Sequence, residues 1–282
     1  MKIAFIPTIH TLETDNTDYH LALTHLVLKY PEYAEFYKKK REQGDFVILD
    51  NSLIELGKAA SLHKVLEAAE LINPSEIVLP DVFKNCEKTL IAVESAIEEL
   101  GNMNIDQDFQ LQAVAHGENI TEWKTCWSEL NKIPYIDCVA IPKVTSDIFG
   151  SRKWAVDYAL SQNSGDKQIH LLGIWSTVRE LKMYSGKQKE LIRGLDSSIA
   201  IHCAADFRSF YRGELTKPEW KIDLEYEYKM NDLDMKTLQS NQIWMTDLLT
   251  LDKNCNTVER LGRSFSMEEI QGSKTKKAGM KK

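Results

Sequence analysis

The chain is poor in the residues that build metal and redox centres. Its five cysteines, Cys86, Cys126, Cys138, Cys203 and Cys255, form no CxC or CxxC pair. That excludes a locally written zinc knuckle or redox dithiol. An odd number of scattered cysteines fits free thiols in a reducing compartment, and a cytoplasmic location is expected. No apolar run approaches the ~20 residues that span a bilayer. The opening, MKIAFIPTIH, reaches polar residues too soon for a signal peptide, so no membrane partner is expected. No GxGxxG or GxxxxGK[ST] loop follows any candidate strand, which argues against a nucleotide-binding open sheet. No HxH follows the first strand, which disfavours a metal-dependent amidohydrolase. Positive charge is also in deficit: 35 Lys and Arg stand against 42 Asp and Glu, for a net charge of −7. The balance argues against a protein that coats nucleic acid nonspecifically, but not against a local basic groove. Lys38-Lys39-Lys40-Arg41 and the lysine-rich end are the two stretches that could supply one. Solvated surface and a frayed terminus are the plainer readings of both.

What is present is a core-forming chain. Hydrophobic residues make up 43% of its 282 residues, enough for one large domain, a length an α/β barrel routinely fills, or for two modest ones. Short, nearly continuous apolar runs alternate with stretches of helical spacing. Strands are predicted over Lys2–Ile9, Phe46–Leu49, Glu76–Leu79, Phe109–Ala115, Cys138–Ile141 and Ile169–Leu172, with a further strand at the segment LIRGLDSSIAIHC. Helices are predicted over Asp18–Gln43 (broken or kinked at Pro31), Ala59–Ile72, Asn85 or Cys86 to Leu100, Asn119–Leu130 with Thr121 as cap, Ser151–Gln162, Thr177–Leu191 with an interruption at Ser185-Gly186, and Lys236–Leu251. Runs that are apolar on both faces are the mark of parallel strands covered on both sides. The pattern predicts an α/β protein: a (β/α)8 TIM-like barrel over residues 1–252, in one domain with a C-terminal helical extension. A polar, lysine-rich tail, partly disordered, is expected over 253–282. Seven strands are visible, and the eighth is expected inside Ile199–Cys203 or unseen.

Polar residues stand at the C-terminal end of nearly every predicted strand: Asp50, Asp81, His116, Lys143, Trp175 and Asp196. A barrel brings these ends to one mouth, where catalytic residues from different strands meet. Each aspartate alone is more simply a helix cap or turn residue. Three of them at one mouth form an inventory of carboxylates suited to glycosyl transfer or glycoside hydrolysis. One carboxylate attacks the anomeric carbon and another manages the proton.

Five segments carry a family resemblance. VILDNSLIELG resembles the LTDSGGFQ strand of the tRNA-guanine transglycosylase superfamily. LPDVF at Leu79 is similar to its next signature, VAHGEN at Val114 to its third, HLLGI at His170 to the later LMG strand, and RGLDSS at Arg193 to the GxDMFDC segment that bears the nucleophile. The five follow the family's order and spacing and cover most of Phe46 to Ser198. DNSLIELG lacks the paired glycines of the tRNA enzymes and DSS stands in place of DC. The chain therefore looks closest to the DNA 7-deazaguanine transglycosylases, which viruses and some bacteria use to insert modified guanines into DNA.

The resemblance implies a pentosyltransferase that replaces guanine in DNA with a free 7-deazaguanine base through a covalent Asp–sugar intermediate. It implies that Asp196 attacks C1′, that Asp50 handles the proton on the leaving or entering base, and that Asn51 and Ser52 hold the base or orient Asp50. It assigns Asp81 to the Watson–Crick edge of the purine, and the backbone of Gly117, with His116, to the purine carbonyl. The target base must be flipped out of the duplex or presented single-stranded. The family's zinc cluster has no counterpart here, so no metal and no cofactor are expected, His202 and Cys203 being the remaining candidates for a nonstandard site. Ala140-Ile141-Pro142-Lys143 replaces the family's base-reading glycine pair. Arg208, Arg212 and Lys217, interleaved with Phe207, Phe210 and Tyr211, either hold phosphates and stack a base or form an ordinary amphipathic turn. Trp175 either floors the base pocket or packs in the core. The same exchange on tRNA, a base-excising glycosidase and a non-catalytic barrel that binds nucleic acid or a nucleoside are the alternatives.

Overall fold

In the computed structural model of the chain, the described residues are 1–250 apart from 104–107, 163–166, 175, 220–221 and 226–228. Trp175, Cys255 and the 253–282 tail thus lie outside them. Eight parallel strands make one sheet: β1 (Lys2–Phe5), β2 (Tyr19–Leu23), β3 (Phe46–Asp50), β4 (Glu76–Val78), β5 (Gln110–Val114), β6 (Cys138–Pro142), β7 (Gln168–Leu172) and β8 (Gly194–Ser197). The ladder runs from β2 in sequence order to β8 and ends on β1, paired to β8. Its two ends, β1 and β2, lie against each other. This is a TIM-like α/β barrel, as predicted.

Around it stand α1 (Thr24–Lys29), α2 (Pro31–Glu42), α3 (Leu53–Leu56), α4 (Leu62–Ile72), α5 (Cys86–Asn102), α6 (Ile120–Lys132), α7 (Thr145–Phe149), α8 (Arg152–Gln162), α9 (Gly186–Leu191), α10 (Ile199–Ala205) and α11 (Asp232–Thr250). Pro31 occupies the first turn of α2, where its missing N–H costs nothing. Asn119, not Thr121, caps α6, its side chain accepting from the Glu122 N–H. No helix among the described residues is long and apolar enough to cross a membrane.

Two strand assignments change. The stretch read as one kinked helix from Asp18 begins as β2, and Tyr19–Leu23 is the strand missing from the sequence count. Ile199–Cys203 is not the eighth strand but most of α10, and Asp196 lies within β8 rather than after it. A slot buried on both faces gives β2 no polar alternation. It runs straight into α1 at Thr24 with no turn residue between them.

The seam between β1 and β2 is closed by side chains. Backbone groups of β2 that turn away from β3 find hydroxyls: Thr17 Oγ1 donates to Tyr19 O, Tyr37 OH to Leu21 O, and Tyr33 OH accepts from the Leu23 N–H. An edge that would otherwise expose unpaired groups is thereby satisfied inside the molecule.

The lower barrel interior is polar. Glu76, fully buried at the start of β4, takes a two-pronged ion pair from Arg193 at 2.6 and 2.5 Å. The Arg193 guanidinium lies over the Phe46 ring at 4.9 Å, and its Nε donates to Tyr19 OH at 3.1 Å. Tyr19 can enter because β8 offers a glycine: a Cβ on Gly194 would sit 2.5 Å from the Tyr19 ring.

Candidate active site at the barrel mouth

Strand parity aims the carboxylates. Side chains alternate along a strand, so Asp50 shares the inward face of β3 with Phe46 and Ile48, and Asp196 shares that of β8 with Gly194. Asp81 follows β4. The three converge: Asp196 and Asp81 both raise the pKa of Asp50 by like charge. Burial in the mouth is the largest cause of that rise, and Glu55 on α3 is the next. The carboxyl is held well above the ordinary carboxylate range, against a single opposing hydrogen bond from the Ser52 N–H to Oδ2 at 2.7 Å. Ser52 makes that bond from a left-handed backbone, φ 59°, which a serine adopts at some cost.

Each oxygen of Asp81 has one protein donor. Oδ1 accepts from Asn51 Nδ2 at 2.8 Å and Oδ2 from His116 Nε2 at 2.6 Å. His116 Nδ1 accepts the Lys84 N–H at 3.3 Å, which leaves the ring proton on Nε2 and assigns the donor. Asn51 also donates to Leu79 O and accepts from the Leu53 N–H. Asn51, Ser52, Asp81 and His116 therefore form one buried assembly, with the half-exposed Phe83 ring edge-on to His116. Gly117 has a packing reason to be glycine: a Cβ there would lie 2.4 Å from the Trp123 backbone nitrogen at the first turn of α6.

Asp196 is 4% exposed. Its Oδ1 accepts the Gly173 N–H at 3.0 Å and faces His170 Nε2 at 3.1 Å. Oδ2 has no hydrogen-bond partner among the described residues. Gly173 is held from behind by the fully buried Arg152, which donates to Gly173 O, Leu172 O and Ile141 O and pairs with Glu180 at 2.6 Å. The stem of Lys143 lies over Gly173, within 2.9 Å of where a Cβ would be.

The expected basic elements are placed differently. Lys38–Arg41 ends α2, near the start of β3 and away from the mouth. Lys39 reaches toward Glu35, Lys40 toward Asp45, and Arg41 bonds Asn73 O. Arg208 is drawn to Asp206 at 2.7 Å and to Thr216 O, and Arg212 is exposed on a 3-10 turn. The Lys217 N–H bonds Ser176 O, bringing its segment to the loop after β7, as does the Thr177–Thr216 bridge. At Leu224 and Glu225 the chain meets the loop after β1 and the α1 residues Lys29 and His25. His202 bonds Ser198 O through Nδ1, and the Cys203 thiol faces Thr216 O. No group of three metal-ligating side chains stands together among the described residues.

His170, Tyr19, Glu55 and Gly173 were not singled out from the sequence as site residues. The one available signal for His170 was a histidine in phase with Leu172 on an otherwise apolar strand. Burial lowers its pKa, against the raising effect of Asp196, so the ring is neutral.

No protein-family model and no curated protein sequence matches the chain. Among solved structures, a 1.8 Å crystal structure of the IolI protein with a bound zinc atom is similar over 88% of this chain and 98% of that one, at 15% identity and a TM-score of 0.46.

Proposed function

We propose that this barrel is a base-exchange glycosyltransferase that replaces guanine in DNA with a 7-deazaguanine. The observation that carries the reading is the contrast between two carboxyl groups at one mouth. Asp50 sits where burial and neighbouring carboxylates keep a proton on it. Asp196 receives two donors on one oxygen and presents the other. That is an acid and a nucleophile on one sugar.

The step balances as follows. Asp196 Oδ2 bonds to C1′ as the C1′–N9 bond breaks, and the departing guanine takes the Asp50 proton on a ring nitrogen. The entering base then returns its N9 proton to Asp50 as N9 bonds to C1′ and the Asp196 carboxylate is released. Asn51 and His116 hold Asp81 in a fixed orientation for the N1–H and N2 donors of the purine, and the exposed Phe83 offers a face for stacking. Lys217, whose segment bonds the loop after β7, is the cation assigned to the phosphates in this reading.

The test is trapping and exchange together. Wild-type protein mixed with DNA should give a denaturant-resistant protein–DNA adduct, and Asp196→Ala should give none. Labelled guanine should leave DNA in amounts no greater than the adduct when protein and DNA are alone, and with turnover only when a free 7-deazaguanine is supplied. Release from tRNA instead would transfer the reading to that polymer. Release without incorporation would make it a base-excising glycosidase. Full exchange by Asp196→Ala would overturn the mechanism, and no release from either polymer would favour a binding module.

A further inference from the structure

The network beneath Asp196 does more than fill the barrel. Arg193 Nε donates to Tyr19 OH at 3.1 Å, and Tyr19 OH meets His170 Nδ1 at 2.8 Å. An arginine can only donate, so its proton occupies an acceptor site of the tyrosine oxygen and the hydroxyl hydrogen is directed at Nδ1. The neutral imidazole then carries its proton on Nε2, 3.1 Å from Asp196 Oδ1. Burial keeps the Tyr19 hydroxyl protonated, well above its ordinary range, despite the nearby Arg193 charge. Tyr19, His170 and Asp196 are buried, Arg193 is partly so, and the buried Glu76 carboxylate anchors the far end.

We infer that His170 is a positioning residue for the proposed glycosyl transfer: the Arg193–Tyr19 pair fixes its tautomer so that Nε2–H holds Asp196 Oδ1 and leaves Oδ2 as the oxygen that attacks C1′. The inference rests on the transglycosylase reading for its reaction, but not for its geometry. The Gly173 N–H shares the same Oδ1, so the carboxylate cannot rotate without losing two hydrogen bonds at once. Keeping His170 neutral also matters. An imidazolium would draw charge from Asp196 and weaken it as a nucleophile. The titratable and charged groups around the ring are Asp196 on β8, Tyr19 on β2, Glu76 on β4, Cys138 on β6 and Arg193 ahead of β8. Tyr19 is the one that places a donor on Nδ1, the site an extra proton would take.

Nitrogen NMR of the full chain with labelled histidine tests this without any substrate. The His170 ring, assigned by its loss in His170→Gln, should show a protonated Nε2 and a bare Nδ1 through neutral pH. In Tyr19→Phe the ring should gain a proton at higher pH than in wild type. A wild-type ring protonated on Nδ1, or one whose titration ignores Tyr19→Phe, would overturn the inference. In the exchange assay, the acid limb of kcat should move to higher pH in Tyr19→Phe with KM little changed. His170→Gln, which keeps an N–H donor, should retain roughly tenfold more kcat than His170→Leu, the worth of one buried hydrogen bond. Equal rates for those two variants at matched Tm would also count against it. A wild-type protein that exchanges no base would remove the reaction while the NMR result still judges the positioning chain.

Discussion

At the scale of single residues, Asp50 carries the sharpest consequence. Its folded-state pKa is raised above the ordinary carboxylate value of 3.8 by burial first and by Glu55, Asp196 and Asp81 after that. A carboxyl raised in this way is stabilising below its unfolded pKa, and that contribution is lost as pH rises through the folded one. Asp50→Asn removes the cost of ionising it. The variant should match wild type below the unfolded carboxyl value of 3.8 and become the more stable of the two as pH rises above it toward the raised folded value. The gain should appear as about 2–4 °C of Tm per kcal/mol for a domain of this size. Thermal melts at several pH values check the sign. Exchange by the same variant should fall steeply, because the amide has no acidic proton to give the leaving base. The three aspartates were legible because each is an acidic residue directly after a buried apolar run, which is costly if the position is itself buried. His170 and Tyr19 were not. Each sits within an apolar strand, and its importance lies in a partner 26 or 151 residues away that no local pattern encodes.

Among the elements, the ends of β6 and β7 depend on α8. Arg152 is buried with its guanidinium spread over three backbone carbonyls and the Glu180 carboxylate, which also accepts from Tyr184 OH. Breaking a buried ion pair by removing one partner typically costs about 3–5 kcal/mol, because the other charge stays behind. Arg152→Met should lose stability on that scale in urea titration. It should also lower exchange beyond the loss of folded protein, since the freed Gly173 peptide no longer holds its N–H on Asp196. A helix with arginine in its first turn was predictable from Ser151 onward. The carbonyls that the arginine finds were not, because they belong to strands 11 positions before it and 20 after it. The β2 error has a related origin. Tyr19–Leu23 is buried on both faces, so it shows neither the period of two nor the polar break that separates a strand from the helix it feeds.

For the whole molecule, barrel closure was legible in the sequence as repeated βα units with polar strand ends. The seam was not, because Thr17, Tyr33 and Tyr37 become part of the sheet only by reaching across to β2. Those hydroxyls have a consequence for the order in which the protein is made. From β2 to β8 each strand pairs with its successor, so that ladder can lengthen as the chain leaves the ribosome. Among the described residues β1 ladders with β8 alone, and Lys2 pairs with Gly194. The first strand synthesised must therefore wait for nearly two hundred residues before it has a backbone partner, and loop closure over that span makes it a late event. Pulse-labelled hydrogen exchange during refolding should find amides of β3 to β6 protected before those of β1 and β8. Simultaneous protection of all eight would rule out this order. The side-chain clasp on β2 then acts as a temporary hem: it keeps an unfinished sheet from presenting a raw edge to other nascent chains while its first strand is still unclaimed.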